Sequence, residues 1–244
     1  MTPDQWIALA ASVGACLSAL ATFLTVRQIA RQREASFRPE LAMSQVHFEA
    51  GPDPIRAGLL PTKWIARNWK GKEMPATFEE LSLPLRNIGL GSARGVHLHW
   101  DFDLAGTVKS ANELAQRTLT PAYFSIDDWG VSIKSEALGN GSSLWKNQRE
   151  VVIDFVLPAS IDKEPVLVRL PDAYVQLAAA LIYLRSRDKG REHSFELPSL
   201  NAAFKFSDIG GIKHEAVFDV KVHLLALAGS GEGMTGYVEC SKRV

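Results

Sequence analysis

The sequence has very little cysteine and no excess of charge, and each absence excludes a class of protein. Only Cys16 and Cys240 occur among 244 residues, too few for the disulfide framework of a small secreted domain. They lie at opposite ends of the chain, one of them inside an apolar run, so they are not expected to pair. Lysine and arginine total 27, as do aspartate and glutamate, so no basic excess would hold the chain on nucleic acid.

The motifs of catalysis and cofactor binding are also missing. There is no Gly-x-Ser-x-Gly nucleophile elbow and no His-Glu-x-x-His metal motif in the sequence. The glycines of 89–91 and 229–233 lack the spacing of a phosphate-binding loop. We therefore expect a non-enzymatic protein without a cofactor, and an unrecognised hydrolase is the enzymatic alternative.

The most distinctive feature present is an uncharged apolar run, residues 6–26 (WIALAASVGACLSALATFLTV). As a helix it would be about 31 Å long, which matches the hydrocarbon core of a bilayer. A cleaved signal peptide is the rival interpretation, but its positive amino-terminal region is lacking: MTPDQ contains Asp4 and no Lys or Arg. The run therefore predicts a single transmembrane helix.

Basic residues follow this run on its carboxyl-terminal side: Arg27, Arg31, Arg33 and Arg38. The positive-inside rule then places the amino terminus outside and the rest of the chain in the cytoplasm of a bacterial cell, anchored in the inner membrane. Residues 27–37 contain no helix breaker, so the helix should continue until Pro39. These arginines can also contact anionic headgroups of the lipid bilayer.

Small residues recur every fourth position within the run, at Ala10, Gly14, Ser18 and Thr22. Such a stripe lets two helix backbones approach closely, which is the usual basis of helix pairing in membranes. It predicts a homo-oligomer formed through the transmembrane helix. The alternative is that these residues simply fill a weakly hydrophobic anchor.

Beyond Pro39 the apolar residues alternate with a period of two, which predicts strands. In 95–104, for example, Val96, Leu98 and Trp100 share one face and His97 and His99 the other. The predicted strands are 41–50, 81–87, 95–104, 150–157, 164–170, 193–197 and 215–227. The fold class is thus mainly β: residues 39–244 form an immunoglobulin-like antiparallel β-sandwich, preceded by a transmembrane and juxtamembrane helix over residues 1–38.

Three stretches are less regular. Residues 174–184 (YVQLAAALIYL) suit a helix or a doubly buried strand, and we favour a strand that leads through the turn 187–190 into 193–197. Residues 51–77 are interpreted as an insertion. In a second insertion, 109–149, a capping box of Ser110 and Glu113 should begin a short helix ending near Leu119, with loop after it.

One motif resembles known proteins. Residues 85–96 (LRNIGLGSARGV) resemble the strand–turn–strand pattern RN-x-G-x-G-x-A-x-x-V of immunoglobulin-like bacterial modules of the CARDB and NEW3 kind. They are more similar still to a widespread class of bacterial single-pass membrane proteins. In that class the motif is preceded by a basic juxtamembrane helix and then by a strand that begins with RPEL. Residues 38–41 of this sequence are RPEL. Tyr183 and the turn 188–190 match a later hairpin.

The resemblance implies a bacterial membrane-anchored β-sandwich and supplies no catalytic residues. The motif also has a physical interpretation of its own. Gly89 and Gly91 permit backbone angles closed to other residues, and Ala93 allows tight packing where the chain re-enters the sheet.

Two further groups are candidate sites. Trp64, Arg67, Trp69 and Lys70 could contact an anionic membrane, a partner or a ligand, or stack on single-stranded nucleic acid. Alternatively, the tryptophans could cap the sandwich core. His97 and His99 are weak metal candidates, since they need a third ligand from another element; a solvated strand face explains them equally well.

Two functions remain open. The first is a membrane-anchored, non-enzymatic adaptor or sensor whose cytoplasmic β-sandwich binds an unknown protein or small ligand. The alternative is a membrane-active effector that oligomerises through its transmembrane helix and perturbs the bilayer. Neither requires nucleic acid.

Overall fold

The computed structural model describes residues 2–52, 59–67, 81–188, 197–228 and 233–243. In chain order its elements are α1 (Pro3–Ser36), β1 (Leu41–Met43), β2 (Val46–Gly51), β3 (Lys63–Arg67), β4 (Ser82–Asn87), β5 (Ala93–Asp101), α2 (Leu104–Arg117), β6 (Ala122–Ile126), β7 (Gly130–Ser135), β8 (Gly141–Leu144), β9 (Glu150–Val156), β10 (Val166–Arg169), α3 (Asp172–Arg187), β11 (Leu200–Ser207), β12 (Lys213–Ala228) and β13 (Gly233–Lys242).

The strands form three antiparallel sheets. A seven-stranded sheet has the order β3-β2-β13-β12-β11-β5-β9, and two three-stranded sheets have the orders β1-β4-β10 and β6-β7-β8. Buried apolar residues from all three belong to one hydrophobic cluster. The predicted mainly β, sandwich-like fold behind an amino-terminal helix is confirmed; its immunoglobulin-like topology stays a prediction.

Strand β5 shows most directly how the sequence produces the sheet. Val96, Leu98 and Trp100 are each at most 1% exposed, and the alternate histidines lie on the outer face. This is the predicted alternation of a half-buried strand, because successive side chains point to opposite faces of a sheet. Strand β5 is hydrogen-bonded to β11 on one side and β9 on the other.

The prediction of one strand over 41–50 was wrong. β1 joins the small sheet with β4, whereas β2 joins β13 in the large sheet. The reason is a change of parity: Leu41 and Met43 are buried at odd positions, and Phe48 and Ala50 at even ones. A single strand turns only one parity toward the core, so the chain must break at the exposed Ser44 and Gln45 between them.

Residues 174–184 form a helix, so the strand prediction for them was wrong. Helix α3 begins after Pro171, and its residues from Ala173 to Leu184 are almost all buried against α2 and β8. Alanine and leucine are strong helix formers, and a helix buried on every side needs no polar face. The predicted strand 193–197 lies outside the described residues except for Leu197, which is in no strand.

The second insertion is more ordered than predicted. Helix α2 begins at Leu104 because Asp103 caps it, its Oδ1 accepting a hydrogen bond of 2.8 Å from the Gly106 amide. Ser110 and Glu113 therefore lie inside the helix rather than at its start. The predicted loop contains the three strands β6, β7 and β8. In the first insertion β3 pairs with β2, and β11 and β13 were not predicted at all.

Asn87, at the end of β4, connects three segments of the chain through its side-chain amide. Its Oδ1 accepts hydrogen bonds from the amides of Glu40, at 2.9 Å, and Gly89, at 3.1 Å. Its Nδ2 donates to the carbonyls of Gly91, at 2.6 Å, and Val156, at 3.1 Å. The side chain is 1% exposed. One amide thus connects the start of β1, the turn after β4 and the end of β9.

We expect Asn87→Ala to lower the free energy of unfolding by about 3 kcal/mol, because it leaves buried backbone groups without partners. The measurement is urea unfolding of the full chain in detergent micelles, followed by tryptophan fluorescence. Asn147→Ala, at an exposed turn position, is the matched control and should change stability by less than about 0.5 kcal/mol. Equal changes in the free energy of unfolding of the two variants would show that the hydrogen bonds of Asn87 do not stabilise the fold.

Candidate functional site at the junction of helix and sheets

The segment that leaves α1 is bound tightly to the sheets rather than hanging as a free linker. Pro39 is buried, and Glu40 exchanges backbone contacts with the end of β4: its carbonyl accepts a 2.8 Å hydrogen bond from the Ile88 amide. Leu41 then pairs with Asn87 as β1 begins. Glu40 therefore extends the β1–β4 ladder by one hydrogen bond toward the helix.

Gly89 and Gly91 lie directly against this segment. A Cβ on Gly89 would lie 2.3 Å from the Arg38 carbonyl oxygen, and one on Gly91 would lie 1.7 Å from that of Phe37. No side chain fits at such separations, and the obstructing atoms are backbone atoms that cannot rotate away. The turn after β4 and residues 37–40 thus form a clasp, and we use that name below for residues 37–40 and 87–91 together.

This contact corrects the expected role of the two glycines. Neither has a positive φ; in this region the left-handed residue is Gly95, at φ 54°. Gly89 and Gly91 are required for close approach of two backbones rather than for unusual backbone angles. Ala93 is fully buried, as expected from the motif.

Helix α1 enters the clasp with its apolar surface uncovered. Trp6, Leu17 and Phe23 are 60–63% exposed, and every side chain of α1 that the structure describes is exposed. Residues Pro3–Ile29 form a stretch of 27 residues, which is long enough and apolar enough to cross a membrane. The hydroxyls of Thr22 and Thr25 are satisfied within the helix, donating to the carbonyls of Ser18 at 2.9 Å and Ala21 at 2.8 Å.

The predicted stripe is free for contact with another helix. Ala10, Gly14, Ser18 and Thr22 are all exposed, and a Cβ on Gly14 would meet nothing within 4 Å. Of the juxtamembrane basic residues, Arg27, Arg31 and Arg38 are exposed. The Arg33 side chain lies outside the described part of the chain.

The Trp64 candidate belongs to the core. Trp64 is 1% exposed, stacks on Phe48 with ring centroids 4.6 Å apart, and donates its indole hydrogen to the Pro61 carbonyl at 2.8 Å. It has no surface to offer a membrane or partner, so that part of the prediction was wrong and the core alternative holds. Arg67 forms an ion pair with Glu49. Trp69 and Lys70 lie outside the described residues.

The histidine pair stays without a third ligand. His97 is exposed, and His99 lies 3.5 Å from the Glu150 carboxylate. Among the described residues no group of three His, Cys, Asp or Glu side chains is arranged to hold a metal ion. His214 is bound to Asp208 at 3.1 Å, and His223 to Glu239 at 2.9 Å.

Comparison of the chain with protein-family models, with curated proteins and with solved structures finds no match. Function must therefore be argued from the geometry alone.

The sequence contains one further signal for the clasp besides its glycines, the asparagine that precedes them. Asparagine is disfavoured within strands, yet Asn87 ends a strand of otherwise regular alternation. A buried asparagine in that position needs partners for both its oxygen and its nitrogen. The glycines that follow bring those partners within reach.

We expect Gly91→Ala to separate residues 37–40 from the sheets, since its Cβ would overlap the Phe37 carbonyl. Overpacking of this kind costs about 2 kcal/mol or more. Limited proteolysis of the full chain in micelles measures the release: chymotrypsin should cleave after Phe37 faster in the variant. Gly141→Ala is the matched control, because its Cβ would enter open space at an ordinary φ. An unchanged cleavage rate in Gly91→Ala would contradict the clasp.

Proposed function

We propose that this protein is a membrane-anchored, non-enzymatic adaptor or sensor. Its helix α1 spans a bacterial inner membrane, and its β-sheet domain binds a protein or small ligand in the cytoplasm. The observation that carries the proposal is the exposure of α1. A helix of this length with no covered apolar side and no polar side is unstable in water, and a bilayer supplies the missing apolar surroundings.

The clasp supports a role in which the position of the domain matters. A flexible tether would only concentrate the domain near the membrane. Here a backbone hydrogen bond at Glu40 and two close glycine contacts join residues 37–40 to the turn after β4, so the domain is held directly at the end of the helix. Fixed presentation suits an adaptor that meets a partner, or a sensor that passes a helix displacement to its sheets.

The proposed orientation rests on charge. Arg27 and Arg31 are exposed on the last turns of α1, and Arg38 is exposed just beyond its end, where these side chains can remain in the headgroup layer and water. Asp4 is the acidic residue of the opposite end. Retention of the arginines on the cytoplasmic side places the sheets there too.

A second candidate function is favoured by the open stripe on α1. Because nothing covers Gly14, two copies of α1 could pair along Ala10, Gly14, Ser18 and Thr22. A membrane-active effector would use such pairing to assemble and perturb the bilayer. An adaptor needs no such activity, so leakage of vesicle contents distinguishes an effector from an adaptor.

The topology is tested by fusing two reporters after Val244, one active only in the cytoplasm and one active only outside it. We expect activity from the cytoplasmic reporter alone, because the arginines resist translocation. Changing Arg27, Arg31 and Arg38 together to Gln should reduce that bias. Activity of the external reporter in the unaltered chain would reverse the orientation and move the sheet domain to the cell envelope.

The adaptor and effector are separated by dye release from vesicles that contain the full chain. The adaptor predicts no release above that from empty vesicles. The effector predicts release that is abolished by Gly14→Leu with Ser18→Leu, which block close helix approach. Ser12→Leu with Cys16→Leu adds the same bulk to the opposite face of α1 and is the matched control. Release that both double variants retain would exclude pairing through the stripe.

A further inference from the structure

Three turns lie at the end of the seven-stranded sheet where α1 joins the domain. The turn 88–92, which is part of the clasp, directly precedes β5. The end of β9 pairs with the start of β5, so residues 157–161 emerge beside that turn. The end of β11 also pairs with the start of β5, so the turn 208–212 that follows β11 lies at the same end. Neighbouring strands are about 5 Å apart, so all three turns lie around the attachment of α1.

This end of the domain carries apolar side chains that water does not favour. Each of six large apolar residues there is between 53% and 70% exposed: Phe37, Ile88, Leu90, Ile161, Ile209 and Ile212. Single exposed apolar residues are ordinary on a protein surface. Six of them, contributed by four separate segments around one attachment point, form a patch. We call these six residues the helix-end patch.

The patch is built on constrained turns. In 208–212 the Asp208 amide donates to the Ile212 carbonyl at 2.9 Å, and the Ile212 amide donates to Asp208 Oδ1 at 2.8 Å. In 157–161 the Ile161 amide donates to the Pro158 carbonyl at 2.8 Å. The isoleucines of both turns are thus presented in fixed positions.

The helix-end patch faces in the direction in which α1 leaves the domain. Every α1 side chain that the structure describes is exposed, and within the described part of the chain α1 does not pack along any other element. The helix therefore runs away from the domain instead of lying against it. A surface arranged around its point of departure faces the membrane that α1 is proposed to span.

The headgroup layer of that membrane lies within reach of the patch. The apolar stretch of α1 ends at Ile29, and Phe37 directly follows the helix. At ~1.5 Å per residue and a tilt of about 20–40°, Phe37 lies about 9–11 Å beyond Ile29. Gly91 lies against Phe37, so the turn 88–92 is level with it. The headgroup layer is about 5–7 Å thick, so the remaining gap of about 2–6 Å is within the length of one large side chain.

The charged groups nearest to the attachment suit a lipid surface. The boundary between lipid and water accommodates apolar side chains together with cationic ones. Arg38 is exposed within the clasp, where it can meet lipid phosphates. The two carboxylates closest to it in the clasp and in the turn 208–212 already have partners: Glu40 pairs with Lys242 at 3.4 Å, and Asp208 with His214 at 3.1 Å.

We propose that the helix-end patch contacts the phospholipid headgroups of the membrane that α1 spans, which gives the β-sheet domain a bilayer contact of its own. This rests on the proposed function, since it needs α1 in a membrane, and it adds the lipid surface as the partner of one end of the domain. Ile88, Leu90 and Ile209 enter the boundary between headgroups and water. The competing cover is a second copy of the chain, which cross-linking detects.

Quenching by labelled lipid tests the contact. The full chain, with Cys16→Ala and Cys240→Ala, is placed in vesicles of phosphatidylcholine and phosphatidylglycerol, and an environment-sensitive fluorophore is attached at Leu90→Cys or Ile209→Cys. Burial raises the pKa of the Cys240 thiol to about 12, so the thiol that is replaced is itself poorly reactive. A nitroxide on the lipid headgroup should quench both positions, and more strongly than a nitroxide deep in the acyl chain, because the contact is with headgroups.

Leu225→Cys is the matched control for these labels. Leu225 is 63% exposed, as the patch residues are, but it lies near the opposite end of β12, about 40 Å along the strand from the turn 208–212. Its fluorophore should be quenched by neither lipid.

A second measurement removes the apolar contact while keeping the helix. Ile209→Asp with Ile212→Asp should reduce the quenching at Leu90→Cys at least about twofold, because anionic headgroups repel two added negative charges. Ile65→Asp with Leu225→Asp is the matched control: both positions are exposed, and strand pairing places them at the other end of the sheet. This control should leave the quenching unchanged.

The outcomes distinguish this inference from the proposed function. Chains that alkaline carbonate extracts from the vesicles would overturn the membrane anchor, and the inference with it. Chains that resist extraction but show no quenching at Leu90→Cys and Ile209→Cys would overturn the inference alone. If a short bismaleimide then cross-links two chains at these same positions, a second copy covers the patch instead of lipid.

Discussion

The side-chain amide of Asn87 is the interaction on which the arrangement of this protein depends. It bonds to Glu40, Gly89, Gly91 and Val156, which belong to three different stretches of backbone. The hydrogen bonds to the carbonyls of Gly91 and Val156 are buried, and a buried backbone acceptor that lacks a partner is costly. One amide therefore connects the start of β1, the turn after β4 and the end of β9, so that all three pack around a single core.

The same interaction determines how the helix is attached. Residues 37–40 can reach Asn87 only because Gly89 and Gly91 leave no side chain in the way. A larger residue at either position would move the entering segment outward and separate Glu40 from its partners. The requirement is one of distance between backbones, and it explains two glycines in a turn where neither has a positive φ.

The sequence predicts best those elements whose pattern is set by local burial. Strand β5 follows from alternation, and α1 from an uncharged run, because in each case one rule decides. Helix α3 could not be separated from a strand, since it is buried on all sides and periodicity carries no signal there. The division of 41–50 into β1 and β2 depends on which sheet covers each half. The clasp arises from contacts between residues 47 or more apart along the chain, such as Glu40 and Asn87, which no local pattern contains.

The place of residues 85–96 in the fold limits what a resemblance based on this motif can imply about function. Its asparagine, glycines and alanine all serve the attachment of α1 and the closure of the core at that end. None of them presents a nucleophilic or titratable side chain. Proteins that share only this motif would therefore share a way of attaching an entering helix to a β-sheet domain.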